Sequence, residues 1–208
     1  LIGLAILTLF DPRLNKQGLH PFKFILVNFG IIFGFIAFIS GQFLLRYIAL
    51  DIVGLIAAMM ALDLDSRPQK FKDFVTIFLI LRFGDLCLLF SILLINTRAG
   101  KMDITRMINA VSNMPSSAQA SALSGFVLAT LIKIGAWPFG YWIHRARVSA
   151  RDVSFWVPGF LLPALGFYLL YRIIPIIMIR PEYQILVFAI GMLGILGVIA
   201  VKCSGLVK

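Results

Sequence analysis

Of 208 residues, 61% are hydrophobic and 13% charged, against roughly half and a quarter in an average soluble globular domain. Together with a mean hydropathy of +0.99, that balance excludes a water-soluble enzyme domain and points to an integral membrane protein. Period-2 alternation is missing from the apolar runs, so they are expected to be helices and not barrel strands. The net charge of +10 reads as a topology signal and an attraction for lipid headgroups; nucleic acid is not an expected partner.

The chain opens on "LIGLAILTLF" without an initiator methionine or a basic flank, which reads as a helix entered partway and not as a signal peptide. With "KCSGLVK" at the other end, the expectation is one membrane domain over 1–208, a fragment or split part of a longer subunit. After the truncated 1–10, apolar segments are predicted at about 22–44, 45–62, 74–95, 119–143, 153–179 and 184–203. Most are near the ~20 residues that a spanning helix requires. The fold class is therefore all-α, a polytopic transmembrane helix bundle. The longest connector carries Ile104, Met107, Ile108 and Val111 at helical spacing, which predicts a short amphipathic helix on the surface.

Alternate connectors differ in basic charge. One side collects Arg13, Lys16, Lys23, Arg67, Lys70, Lys72, Arg145, Arg147, Arg151, Lys202 and Lys208, the other Arg46, Arg98, Lys101, Arg106, Arg172 and Arg180. The positive-inside rule puts the richer side toward the cytoplasm or matrix. Two basic residues, Arg82 and Lys133, remain inside spans.

Cys87 and Cys203 fit no metal or disulfide spacing and read as packing residues. The sequence shows no CxxC, no histidine pair for a haem and no glycine-rich phosphate loop, so neither a metal nor a cofactor is expected. The chemistry lies in four charges within predicted spans: Asp51 in "YIALDIVGL", Arg82 and Asp85 in "LRFGDLCLL", and Lys133 in "LIKIGAWPFG". Each costs roughly 2.5–3.5 kcal/mol near a helix centre, so pairing or a hydrated passage must offset them. Arg82 and Asp85 are three apart, which allows a pair on one helix or with a neighbour, and Asp85 has the alternative of a lysine on the next helix. Asp51 and Lys133 have no partner near in sequence and must find one across helices. Burial favours the neutral amine of a lysine and a nearby carboxylate favours the ammonium, so moving the carboxylate would load or unload a proton.

Pro138, five residues after Lys133, is expected to break that span by removing a backbone hydrogen bond. A broken helix beside a charge is a construction used for ion pathways. His144 and the following Arg145 and Arg147 fall at the membrane edge, as anchors or, for His144, a proton-passing group at a channel mouth. Pro158 and Pro163 interrupt the next span, and Gly159 and Gly166 allow close helix approach.

The stretch "KIGAWPFGYWIHRARVSARDVS" resembles the broken helix and following loop of the antiporter-like membrane subunits shared by respiratory complex I, multisubunit sodium/proton antiporters and membrane-bound hydrogenases. Lys133, Pro138, Phe139, Trp142, Val153 and Ser154 fall in register. "LGFYLLYR" is similar to that family's Gly-Tyr-Leu-Arg helix end, "RFGDLCLL" to its Arg-x-Gly-Asp helix, and Asp51 stands in the place of its membrane glutamate. The sequence departs from the pattern at Asp152, where the loop proline would be, and at Pro158, where the large complex I homologue has a histidine. Lys208 falls near the position of a second membrane lysine. The resemblance covers about residues 20 to 208.

What the resemblance implies is a proton relay through Lys133, Asp51, Asp85, Arg82, His144 and Lys208, with Lys133 as carrier, Asp51 tuning it, and Arg82 and Asp85 as a supporting pair. The implied partners are other membrane subunits of a complex I-type respiratory assembly, lipids, and protons or sodium ions. The implied setting is the bacterial cytoplasmic membrane or the mitochondrial inner membrane. No covalent or redox chemistry is expected in this chain; it would belong to an NADH:quinone oxidoreductase-type translocase through its partners. Two alternatives stand beside this: a degenerate structural subunit whose charges form static pairs, and a proton-path partner of a bacterial inorganic-carbon uptake complex.

Overall fold

A computed structural model describes residues 21–61, 68–99, 104–149 and 155–192. Among them the chain is helical, without strands. In order these are α1 (Pro21–Ile39), α2 (Phe43–Met59), α3 (Pro68–Ala99), α4 (Ile104–Ser112), α5 (Ser116–Ile134) and α6 (Tyr141–Ser149). A π-helical turn (Val157–Leu161) then leads into α7 (Leu162–Ile177), and a last helix, α8, covers 181–192.

Three helices are long and apolar enough to cross a membrane, over Phe71–Thr97, Ser116–Ile134 and Val157–Ile177, with Ile25–Ile39 a shorter apolar helix. These correspond to four of the expected spans with altered ends. The 45–62 segment becomes the 17-residue α2, and the 119–143 segment stops nine residues early. The expected spans at 1–10 and the far part of 184–203, with Cys203, Asp152, Val153, Ser154 and Lys208, lie outside the described residues.

The packing follows from helical periodicity. On α3, Ile77, Leu81, Asp85, Leu88, Ile92 and Ile95 are at most 2% exposed and recur every three to four residues, so they form one seam. That seam packs on α5, the most buried helix: from Gly125 to Lys133 every residue except the half-buried Leu128 is buried. α7 brings Leu162, Leu165, Leu169 and Ile173 against α5, and Leu161 of the π turn meets Gly34 of α1. α2 packs between α1 and α3 through Leu50, Val53 and Ala57. The expected amphipathic helix is α4. Its Met107 and Val111 are at most 1% exposed, and Arg106 faces out.

Two features of the fold place the charges. The sharp join between α1 and α2 turns on Ser40, and Arg46, counted in the sequence as a connector residue, is drawn inward to 1% exposure. Its Nε donates to the Ala37 carbonyl at 3.0 Å and its Nη2 to the Ser40 carbonyl, while the guanidinium lies over the Phe43 and Tyr168 rings. The final carbonyls of α1 have no partner within their own helix, and Arg46 supplies one from the next.

The second feature is the end of α5. The helix closes at Gly135, whose φ of 71° is left-handed and disfavoured for a residue with a Cβ. Ala136 N donates to the Leu131 carbonyl at 3.0 Å and Gly135 N to Ile132 at 3.1 Å, the paired pattern of a Schellman ending. Pro138 thus stands in the turn that follows and not inside a helix. The chain leaves the helix three residues before Pro138, which lies in the non-helical turn at 135–140 between α5 and α6. Pro158 falls in the π turn and Pro163 just after it in α7, and the two do not divide the span, which runs helical from Val157 to Ile177.

Candidate functional site

Lys133 is the penultimate residue of α5, in the part of that helix buried on almost every face. At 0% exposure its stem has no route to the surface. The seam of α3 brings Asp85 opposite it, between Leu81 and Leu88, and Asp85 Oδ1 lies 2.5 Å from Lys133 Nζ. Nζ also points at the Leu50 carbonyl of α2, 3.5 Å away. Asp85 Oδ2 rests against Gly54 of α2, 3.6 Å from where a Cβ would stand.

Arg82 lies three residues before Asp85. At about 100° per residue this turns it about 60° around α3, away from α5 and toward α2. There Arg82 Nη1 donates to Asp51 Oδ1, with the guanidinium over the Phe78 ring at 5.4 Å. This second pair is wetter, its side chains 36% and 21% exposed. Tyr47 lies one turn before Asp51 on α2, half-buried. The four expected intramembrane charges therefore form two pairs that alternate across three helices: Asp51 of α2 with Arg82 of α3, and Asp85 of α3 with Lys133 of α5.

Of the partners open to Asp85 it meets the lysine of another helix and not Arg82, and Asp51 finds its partner across helices in Arg82 and not in Lys133. His144 is exposed on α6, and its side chain makes no hydrogen bond or ion pair among the described residues. Lys208 lies outside the described residues. Trp137 is 62% exposed and Tyr141 50%. Trp142 is fully buried, and its indole Nε1 donates to the Ile132 carbonyl at 2.8 Å.

The sequence reading missed Arg46, Tyr47 and a third ion pair, Asp73–Arg145, at 2.5 Å. Asp73 is 3% exposed. Its signal was present: Asp73 falls on the α3 seam, four residues before Ile77, and a connector boundary set at 73/74 hid it. No group of three or more histidine, cysteine or carboxylate side chains suited to a metal occurs among the described residues. Arg46 Nη1 and Arg172 Nε are buried without an acceptor there.

Gly166 sets how near α7 comes to the lysine. A Cβ at Gly166 would stand 2.8 Å from Ile134 N and 3.0 Å from the Lys133 carbonyl carbon, closer than backbone atoms tolerate. α7 thus packs directly on the last turn of α5, and Lys133 is held from three sides by α2, α3 and α7. The arrangement places a lysine and a carboxylate in direct contact away from the surface, where a charge interacts more strongly than in water.

The model of the family described as NADH:quinone oxidoreductase/Mrp antiporter, transmembrane region, matches residues 40–203. Among similar curated proteins, NAD(P)H-quinone oxidoreductase subunit 5 of the Ipomoea purpurea chloroplast is 24% identical over 163 residues, 76% of this chain and 23% of that protein. A Staphylococcus aureus protein described as antiporter subunit mnhA2 is 23% identical over 200 residues, 94% of this chain and 25% of that protein. The chain spans about a quarter of the length of these relatives.

Proposed function

Because this chain belongs to the NADH:quinone oxidoreductase/Mrp antiporter membrane family, we propose that it forms part of a proton-translocating, antiporter-like subunit of a complex I-type membrane assembly, with Lys133 as the proton carrier. The observation that carries this reading is a fully buried ammonium held at the end of α5 by one carboxylate, Asp85, which has a second cation, Arg82, one turn away on its own helix.

Asp85 then has two places to put its charge. Beside Lys133 it stabilises the ammonium. Drawn toward Arg82, it leaves the lysine without a counter-charge in a dry site, where the neutral amine is favoured and a proton departs. Asp51 competes for Arg82: while Asp51 holds the guanidinium, Asp85 is left to Lys133, and when Asp51 is protonated or moves, Arg82 becomes available to Asp85. Asp51 thus tunes the lysine through Arg82 and not by contact. No bond other than those to the proton is made or broken.

The test is Lys133→Met in the full-length subunit, assembled in its complex, with proton uptake into membrane vesicles measured beside assembly. Loss of uptake with assembly retained is the expected result. Assembly and uptake both unchanged would remove Lys133 from the path, and collapse of the complex would favour static pairs that hold the helices together.

A further inference from the structure

The buried pair at Lys133 is one of two ion pairs that join α3 to the two sides of the turn at residues 135–140. Asp73 and Asp85 are twelve residues apart on α3, and Lys133 and Arg145 are twelve apart across the turn. At 1.5 Å per residue the two carboxylates stand about 18 Å apart along one continuous helix. Asp85 holds the end of α5 and Asp73 holds the first turns of α6, where Arg145 Nη1 donates to Asp73 Oδ1 at 2.5 Å. Arg145 also bonds the Tyr141 hydroxyl through Nε at 2.6 Å and lies over its ring.

Between the two pairs α6 fills the space. Trp142 and Ala146 are fully buried, the Trp142 indole is tied to Ile132, and α6 packs on both α3 and the π turn. The turn itself is tightly wound, with Phe139 N donating to the Ala136 carbonyl at 2.7 Å. Lys133 has no exposure with α6 in this position. α6 is nine residues long and joined to α5 through the non-helical turn at 135–140, and it reaches the lysine's helix through the Trp142–Ile132 hydrogen bond.

We propose that Asp73 and Arg145 form a gate: their ion pair holds α6 and its Trp142 over the end of α5, and its opening admits water to Lys133 from the α6 side. Both are positioning residues that act through α6. The proposal rests on Lys133 being the group that the path serves. The charge pair suits the task because it sits at the edge of the bundle, with Arg145 30% and Asp73 5% exposed by side chain. Partial access to water lowers the cost of separation relative to the dry pair beside Lys133.

The experiment uses the full-length subunit in its complex with Cys87 and Cys203 replaced by Ser. In one arm Ala136→Cys reports water at the turn through its rate of modification by a small, charged methanethiosulfonate reagent. Arg145→Met and, separately, Asp73→Asn should each raise that rate on the order of tenfold, and Arg145→Lys should keep it near the starting value. In the other arm Asp73→Cys/Arg145→Cys, joined by a short thiol-cleavable bifunctional methanethiosulfonate cross-linker that spans the length of the lost side chains, should stop proton uptake, with uptake restored by reductant in the same vesicles. Unchanged labelling in both neutralised variants, or uptake as fast with the cross-link as without it, would overturn the gate. The lysine reading fails separately: Lys133→Met that still takes up protons ends it, while labelling at Ala136→Cys continues to report on the gate.

Discussion

Arg82 and Asp85 sit one turn apart on α3, opposite in charge, yet each has its ion-pair partner on a different helix: Arg82 bonds Asp51 of α2 and Asp85 bonds Lys133 of α5. The separation of about 60° around α3 sends one toward each neighbour. Two pairs so interleaved share a helix that senses both, which is why displacing one charge is expected to redistribute the others.

A double-mutant cycle tests the buried pair. Asp85→Asn or Lys133→Met alone leaves an uncompensated buried group and should cost about 3–5 kcal/mol. The double substitution leaves neither charge, so its cost should fall below the sum of the singles by at least about 1 kcal/mol. Thermal unfolding of the detergent-solubilised protein measures this, and strictly additive losses would mean that the two groups do not act as a pair.

Gly135→Ala should destabilise for two separable reasons. The φ of 71° penalises any L side chain by roughly 1–2 kcal/mol, and a Cβ there would collide with the Ile143 side chain. Adding Ile143→Ala should remove the collision and leave the backbone penalty, apart from the cost that Ile143→Ala has alone. If the pair is no more stable than that additive expectation, the clash is not real.

Gly166→Ala should move α7 off the last turn of α5, because backbone atoms of Lys133 and Ile134 stand in its way beside Ile134 Cγ1, and the backbone cannot turn aside as the end of a flexible side chain can. Reduced proton uptake and a lower Tm are expected together. Gly41→Ala is the control: nothing lies within 4 Å of its Cβ position, and it should behave as wild type in both assays.

Arg46→Leu should leave the Ala37 and Ser40 carbonyls without the donors they now have, at about 1–3 kcal/mol for each buried acceptor. Arg46→Lys should recover less than half, since a single ammonium cannot span two carbonyls in the manner of the planar guanidinium. A Tm unchanged in Arg46→Leu would rule out Arg46 as the link between α1 and α2.

The short amphipathic helix was readable from Ile104, Met107 and Val111 because its 3.6-residue period lies within one segment. The end of α5 was misplaced for a related reason. Pro138 is the louder breaker in the sequence, but Gly135 reaches the left-handed region first, and a Schellman ending depends on which carbonyls are left over, not on the next proline. Arg46 and Asp73 were assigned to connectors because hydropathy blurs a helix end by a few residues, and a charge at that depth is classified by those few residues.

The sequence by itself determined that the chain is helical and membrane-embedded, that Asp51, Arg82, Asp85 and Lys133 need partners, and which family motifs they belong to, because apolar length and the cost of bare charge in lipid are properties of each segment alone. Only the tertiary structure decided which charge meets which, that Lys133 is enclosed by α2, α3 and α7, and that Arg145 ties α6 to Asp73. Those depend on the rotation and depth of one helix against another, and these are fixed by how whole side-chain surfaces fit.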